Sequence, residues 1–190
     1  MKEILLIGGG GHCKSVIDVI EQENRFKIAG IIDKKELIGK EVLGYKVIGS
    51  DDDLESLFDK YKNAIVTVGQ IQTPVIRIKL FNKLKDIGYY LPIIISPLAY
   101  VSKHAMIDEG TIIMHHVLIN ASSKIEKNCI INTKSLIEHD CLIEPHCHIS
   151  TASVVNGGTI IKEGTFFGSN ATSKEYIECN GFIKAGSLVK

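Results

Sequence analysis

With 190 residues the chain is long enough for one large domain or two small ones, each with its own hydrophobic core. Lys plus Arg and Asp plus Glu are balanced at 22 each, so there is no global basic field to draw in nucleic acid and no charged run long enough to be a solvated tail. Five cysteines form an odd set without a C-x-x-C pair, and the apolar run Ile4–Ile7 is too short for a signal core or a bilayer span; neither a disulfide framework nor a zinc knuckle is indicated, and a soluble, cytoplasmic protein with no membrane partner is expected.

Residues 1–92 read as alternating strands and helices. "KEILLIG" (2–8) is a buried-strand run, and "KSVIDVIEQ" (14–22) carries apolar residues at helical spacing. "KIAGIID" (27–33) is a second strand ending on Asp33. Ser50 before Asp51, Asp52 and Asp53 predicts a helix start with acids in its first turn, and Leu54, Leu57, Phe58 and Tyr61 then share one face. "AIVTVG" (64–69) is another strand, and Thr73 with Pro74 opens a helix that stops at Gly88. Strand–helix–strand units with short links predict a small parallel sheet, a Rossmann-like module.

The glycine run "IGGGGHCKS" (7–15) lies at the first strand-to-helix turn. A dinucleotide fingerprint beginning at Gly8 and Gly10 requires glycine at 13, where Cys13 stands, so G-x-G-x-x-G fails. What remains is a glycine turn at a helix N-terminus, whose N–H groups favour a phosphate or carboxylate, with His12 beside it.

Residues 93–190 change character. Written in sixes from Ile95, the first letter is Ile or Val in twelve of thirteen blocks, with Phe167 the exception. The fifth letter is Ala, Ser, Thr or Cys in twelve of thirteen, with Val117 the exception. After a slip near residue 173 the pattern is read as resuming at Ile177, Ile183 and Val189. A period of six fits neither an α-helix nor a free strand. It fits a coil with three flat sides and eighteen residues per turn, the branched residue inward and the small residue near each corner. Cys129, Cys141 and Cys147 fall on that small position as packing atoms, whereas Cys179 falls outside it and is expected as a surface thiol.

Six of seven histidines lie in this half, which raises the question of a metal. No two are five residues apart, as the zinc-binding β-helix carbonic anhydrases require, and no carboxylate-rich calcium loop is present, so no metal is expected. The informative stretch is "NTKSLIEHDCLIEPHCHIS" (132–150). His139, two places after inward Ile137, faces outward and is followed directly by Asp140, with His148 half a coil further round. An outward imidazole beside a carboxylate suits a general base acting on an amine or hydroxyl.

"GGGGH", Asp33 at the end of the second strand and "NTKSLIEHDCLI", in this order, resemble the NeuD/PglD type of sugar O- or N-acyltransferase. The likeness covers the whole chain. It implies a Rossmann-like domain (1–92) that grips a sugar or nucleotide sugar, and a left-handed β-helix of hexapeptide repeats (93–190) that uses acetyl-CoA as co-substrate and assembles as a homotrimer. By position it implies His139 as general base, Asp140 as its partner acid and Gly157 as the N–H donor to the oxyanion. His148, Ser169 and Ala185 would then contact acetyl-CoA, and Gly10, Gly11, His12 and Asp33 the sugar substrate. The implied reaction is direct attack by the sugar, with no acyl-enzyme, in the synthesis of surface glycans. Two departures stand out: Cys13 replaces the usual Gly or Ala, and the sequence ends at "AGSLVK", where the family continues to a Gly-x-Pro-Ala-Lys segment. Other readings of the same fold are a serine or small-metabolite acetyltransferase, a metal-dependent enzyme, or a non-catalytic scaffold.

Overall fold

A computed structural model describes residues 1–190, which form two compact units: Met1–Gly69 with Val75–Pro92, and Gln70–Pro74 with Ile93–Lys190. In the first, β1 (Lys2–Ile7), α1 (Gly11–Glu23), β2 (Phe26–Ile32), β3 (Glu41–Val42), β4 (Tyr45–Gly49), α2 (Leu54–Phe58), β5 (Asn63–Val66) and α3 (Val75–Ile87) follow in chain order. The sheet runs β3-β4-β2-β1-β5, parallel except for β3.

The sheet is buried on both faces, which explains why its strands are continuous apolar runs. Leu5 and Ile7 of β1 join Ile32, Ala64 and Val66 in one cluster with Leu54, Leu80, Phe81, Leu84 and Tyr89. Ile4 and Leu6, which alternate with them, are equally buried, as are Val16, Ile17, Val19 and Ile20 of α1. Each such side chain contributes roughly 1.5–3 kcal/mol. Ser50 and Asp53 behave as the sequence suggests: the Ser50 N–H donates to Asp53 Oδ2 at 2.7 Å, opening the turn that leads into α2.

Two features of this unit differ from the sequence reading. Helix α1 begins at Gly11 rather than near Lys14, because Gly10 in extended conformation serves as its cap. The β3–β4 hairpin has no counterpart in the sequence pattern. Its two-residue turn places Leu43 and Gly44 at φ 49° and 84°, a primed hairpin turn whose first position is occupied by a residue that does not advertise it.

The second unit is a left-handed parallel β-helix, with three sheets of two-residue strands stacked in parallel. Ile113, Ile119, Ile125, Ile131, Ile137, Ile143, Ile149, Val155, Ile161 and Phe167 point inward and are fully buried. From Gly110 to Tyr176 the fourth letter of successive blocks turns its corner in the left-handed region, occupied by residues such as Asn128, Asp140, Asn170 and Gly158.

The fifth letter must be small, and it also carries a hydrogen-bonding role. Thr111 Oγ1 donates to the Glu126 carbonyl at 2.8 Å, Ser123 Oγ to Glu138, and Thr159 Oγ1 to Lys174 at 2.9 Å. Cys129, Cys141 and Cys147 reach Glu144, Asn156 and Lys162 at 3.3, 3.3 and 3.1 Å. Every one of these bonds spans fifteen residues, to the coil above, and satisfies a corner carbonyl that the coil has turned away from water.

The expected slip near 173 lies later in the chain. Ser173 and Cys179 keep the inward frame at 0% and 2% exposure, and Ile161 still pairs with Cys179, eighteen residues on. Phe167 then pairs with Ile183, only sixteen on, so the coil shortens by two residues in the turn at Asn180–Gly181. Cys179 is therefore a core residue and not a surface thiol, and Ile177 is not an inward residue of the column.

Candidate active site

In the first unit, a cleft of about 700 Å³ opens where β1, β2 and β5 end, lined by Gly8–Gly10, Asp33–Glu36, Ser50–Asp52, Val68, Gly69, Ile76 and Leu80. The four glycines of the loop at its edge, Gly8–Gly11, do different things. Gly8 sits at φ +105°, and a Cβ there would lie 2.4 Å from Val68 Cγ2, so close packing demands glycine. A Cβ on Gly9 would press on Asp33 at 3.0 Å. Gly10 and Gly11 would meet nothing within 4 Å, so nothing inside the chain requires them to lack a side chain. Together they begin α1, which has neither a side-chain cap nor an acid in its first turn, leaving its positive end open to an anion.

Asp33 shapes this loop. Its Oδ2 accepts the Gly9 N–H at 2.6 Å and its Oδ1 the Lys34 N–H at 2.8 Å. Gly10 and Asp33 stand in the cleft wall, whereas Gly11 and His12 do not; His12 is half-buried beside Gly69. Arg77, which no sequence pattern singles out, is buried in α3 and donates to the Val66 and Val68 carbonyls at 3.0 and 2.6 Å, pinning the strand exit that forms one wall. Burial, the dominant cause, pushes the Cys13 thiol up to about 11, and burial likewise raises that of Cys141, so neither offers a thiolate nucleophile near neutral pH.

In the β-helix, His139 and Asp140 turn one edge of the coil. His139 Nδ1 donates to Asp140 Oδ2 at 2.7 Å, which leaves Nε2 as the accepting nitrogen of the neutral ring. Both side chains are about half exposed, at 51% and 59%. The left-handed φ of 59° at Asp140 turns the chain between the two side chains. Beneath them Glu138 Oε2 accepts from Asn120 Nδ2 at 2.9 Å and from the His139 N–H at 3.3 Å, a support the sequence did not disclose.

One coil on, Gly157 lies directly against the His139 ring. A Cβ there would come within 2.8 Å of Cε1 and 2.9 Å of Nε2. The Gly157 N–H donates to no acceptor within the chain.

The other expected residues lie elsewhere on the coil. His148 is only 6% exposed. Its Nδ1 donates to the Gln70 carbonyl at 2.5 Å, its Nε2 accepts from Asn132 at 3.0 Å, and its ring meets Phe166 edge-on. Ser169, bonded to Ser150 at 2.9 Å, stacks under the exposed Ala185–Gly186 turn on a different edge from His139. Within one chain, then, His139, Asp140 and Gly157 form a single constellation, and His148 and the Ser169–Ala185 pair do not join it. No group of three or more His, Cys, Asp or Glu side chains is placed to hold a metal ion, and no helix is long and apolar enough to cross a membrane.

Residues 3–84 match the family model of the PglD N-terminal domain. The whole chain superposes on a perosamine N-acetyltransferase from Caulobacter crescentus, solved as a variant in complex with CoA and GDP-perosamine, with 31% identity and a TM-score of 0.93 over 100% of this chain and 89% of that one. The chain belongs to the PglD-type sugar acyltransferase family. A second member, the acetyltransferase domain of PglB from Neisseria gonorrhoeae FA1090, is 27% identical with a TM-score of 0.92, over 100% of this chain and 92% of that one. The same domain in complex with acetyl coenzyme A gives a TM-score of 0.88. No curated protein sequence matched. The likeness to both PglD-type structures runs through both units of this chain, so the glycine loop and the His139 edge belong to one family architecture.

Proposed function

We propose that this PglD-type protein transfers the acetyl group of acetyl-CoA to an amino or hydroxyl group of a nucleotide-linked sugar, with His139 as general base. The observation that carries this reading is the His139–Asp140 pair, its free Nε2 set beside a Gly157 N–H that has no internal acceptor. His139 Nε2 takes the proton of the attacking group as the new C–N or C–O bond forms. The Gly157 N–H donates to the carbonyl oxygen as charge develops there. The imidazolium, held by Asp140, then returns the proton to the departing CoA sulfur. Atoms balance with one acetyl and one proton exchanged, and no cysteine is needed.

Gly10, Gly11, His12 and Asp33 hold the sugar nucleotide in this reading. Support comes from the open helix end, from the two glycines with empty space before them, and from the GDP-perosamine bound to the Caulobacter relative. His148, Ser169 and Ala185 serve acetyl-CoA from a neighbouring copy in a homotrimer. This is supported by their separation from His139 within one chain and by an outward ladder of Tyr100, Leu118, Leu136, Val154, Thr172 and Leu188 along one sheet. Dependence on acetyl-CoA and nucleotide sugars assigns the protein to the cytoplasm and to glycan synthesis.

The test is His139→Ala, assayed by CoA release with a panel of amino-sugar nucleotides. Turnover falls by about 10²- to 10⁴-fold in a sample that sedimentation shows to remain trimeric. Undiminished turnover in that trimer removes His139 from the mechanism.

A further inference from the structure

The edge that carries His139 continues upward through Lys174 and Glu175 to an aromatic residue, Tyr176. Its backbone N–H donates to the Gly157 carbonyl at 3.0 Å, just as Gly158 donates to the His139 carbonyl at 2.9 Å. Asp140, Gly158 and Tyr176 therefore occupy the same corner position on consecutive coils, which places Tyr176 two coils, about 9.5 Å, above the His139–Asp140 corner. The Tyr176 ring lies over Gly158, where a Cβ would come within 2.2 Å of its Cδ1.

One face of the ring rests on Gly158, but nothing inside the chain engages its other face or its hydroxyl. The residue has φ 54°, the left-handed corner conformation it shares with His116, Lys134 and His146. Its side chain is 75% exposed, and its hydroxyl makes no hydrogen bond within the chain. The ring's outer face and its hydroxyl are thus open to a ligand lying along this edge.

We propose that Tyr176 forms part of the acyl-donor site, its ring face packing against the pantetheine arm of acetyl-CoA. This rests on the acetyltransferase reading. The thioester must lie between His139 Nε2 and the Gly157 N–H, so an arm leaving it along this edge passes Gly158 and meets the ring. Pantetheine alternates methylenes with secondary amides. The ring face covers the methylenes, and the hydroxyl reaches an amide. Gly158 is glycine both to turn its corner at φ +67° and to let the ring lie flat beside that path.

The experiment measures CoA binding by calorimetry, and KM and kcat in the CoA-release assay, on the full chain. Because the side chain is exposed, Tyr176→Ala leaves no cavity. It raises the Kd for CoA and the KM for acetyl-CoA about tenfold, while kcat and the KM for the sugar nucleotide change less than about threefold. Tyr176→Phe, which keeps the ring, returns both constants to within about threefold of wild type. Tyr176→Gly loses CoA affinity as Tyr176→Ala does, yet melts at or above the wild-type temperature because glycine takes the left-handed φ at no steric cost. Wild-type protein that binds CoA alongside a Tyr176→Ala variant that binds it equally well overturns this proposal alone. Wild-type protein that neither binds CoA nor releases it from acetyl-CoA overturns the acetyltransferase reading, and this proposal with it.

Discussion

Gly157→Ala separates catalysis from stability at a single methyl group. The backbone at 157 is outside the left-handed region, so alanine fits it, and the three atoms its Cβ would approach most closely all belong to the His139 ring. To restore ordinary contact at 3.4 Å from the present 2.8 Å, the ring must retreat by about 0.6 Å. His139 is half exposed and can swing toward solvent, so the fold is spared. The retreat moves Nε2 from the Gly157 N–H and loosens the 2.7 Å bond to Asp140. A misplacement approaching 1 Å costs about 10² in rate, so kcat should fall by roughly 10- to 10²-fold. Stability should hold or rise, since Gly→Ala at a compatible position gains about 0.4–1 kcal/mol through the unfolded chain. The assay is CoA release at saturating acetyl-CoA and amino-sugar nucleotide, with thermal melting in parallel. In a His139→Ala background Gly157→Ala should cause no further loss. Wild-type kcat in Gly157→Ala, or an undiminished effect without His139, would refute the account.

Within the glycine run, Gly8→Ala should destabilise the first unit by roughly 2 kcal/mol or more, because it forces both the φ of +105° and the 2.4 Å approach to Val68. Gly10→Ala should melt within about 2 °C of wild type yet raise the KM for the sugar nucleotide severalfold; an unchanged KM would detach Gly10 from the substrate. All five cysteines are buried, Cys179 included, so a thiol reagent should label none in the native protein and five after denaturation. Prompt labelling of one thiol would return Cys179 to the surface. The Asp53 carboxyl is held below its ordinary 3.8 first by the Ser50 N–H and then by the Ser50 hydroxyl. With its folded pKa depressed, its stabilisation is complete above the unfolded value and fades as pH falls through the folded one. The melting deficit of Asp53→Ala should therefore be present at pH 7 and vanish in acid; a gap constant down to the lowest pH would exclude this carboxylate.

The β-helix was legible because its signal repeats. A six-residue period occurs in thirteen blocks, and each block states the same demands, one aliphatic inward and one small residue at the corner. The Rossmann-like strands were legible as buried runs, and Ser50–Asp53 as a helix start, because those are local effects of solvation and backbone hydrogen bonding. His139 with Asp140 could be picked out because adjacent residues stay adjacent on a corner. What depended on stacking could not be read. The sequence does not say that Gly157 supports the His139 ring eighteen residues below it, that Gln70 holds His148, or that Arg77 pins the exit of β5. Nor did it reveal that Ser173 and Cys179 keep the inward frame. Their small, polar or sulfur-bearing side chains carry no hydrophobic signal, and only the pairing of Ile161 with Cys179 and of Phe167 with Ile183 locates the two-residue shortening. The sequence by itself determined the two architectures and the pair of residues that meet on one corner. The tertiary structure alone decided which glycines serve the fold and which face open space, since that depends on what lies within 4 Å of an absent methyl group.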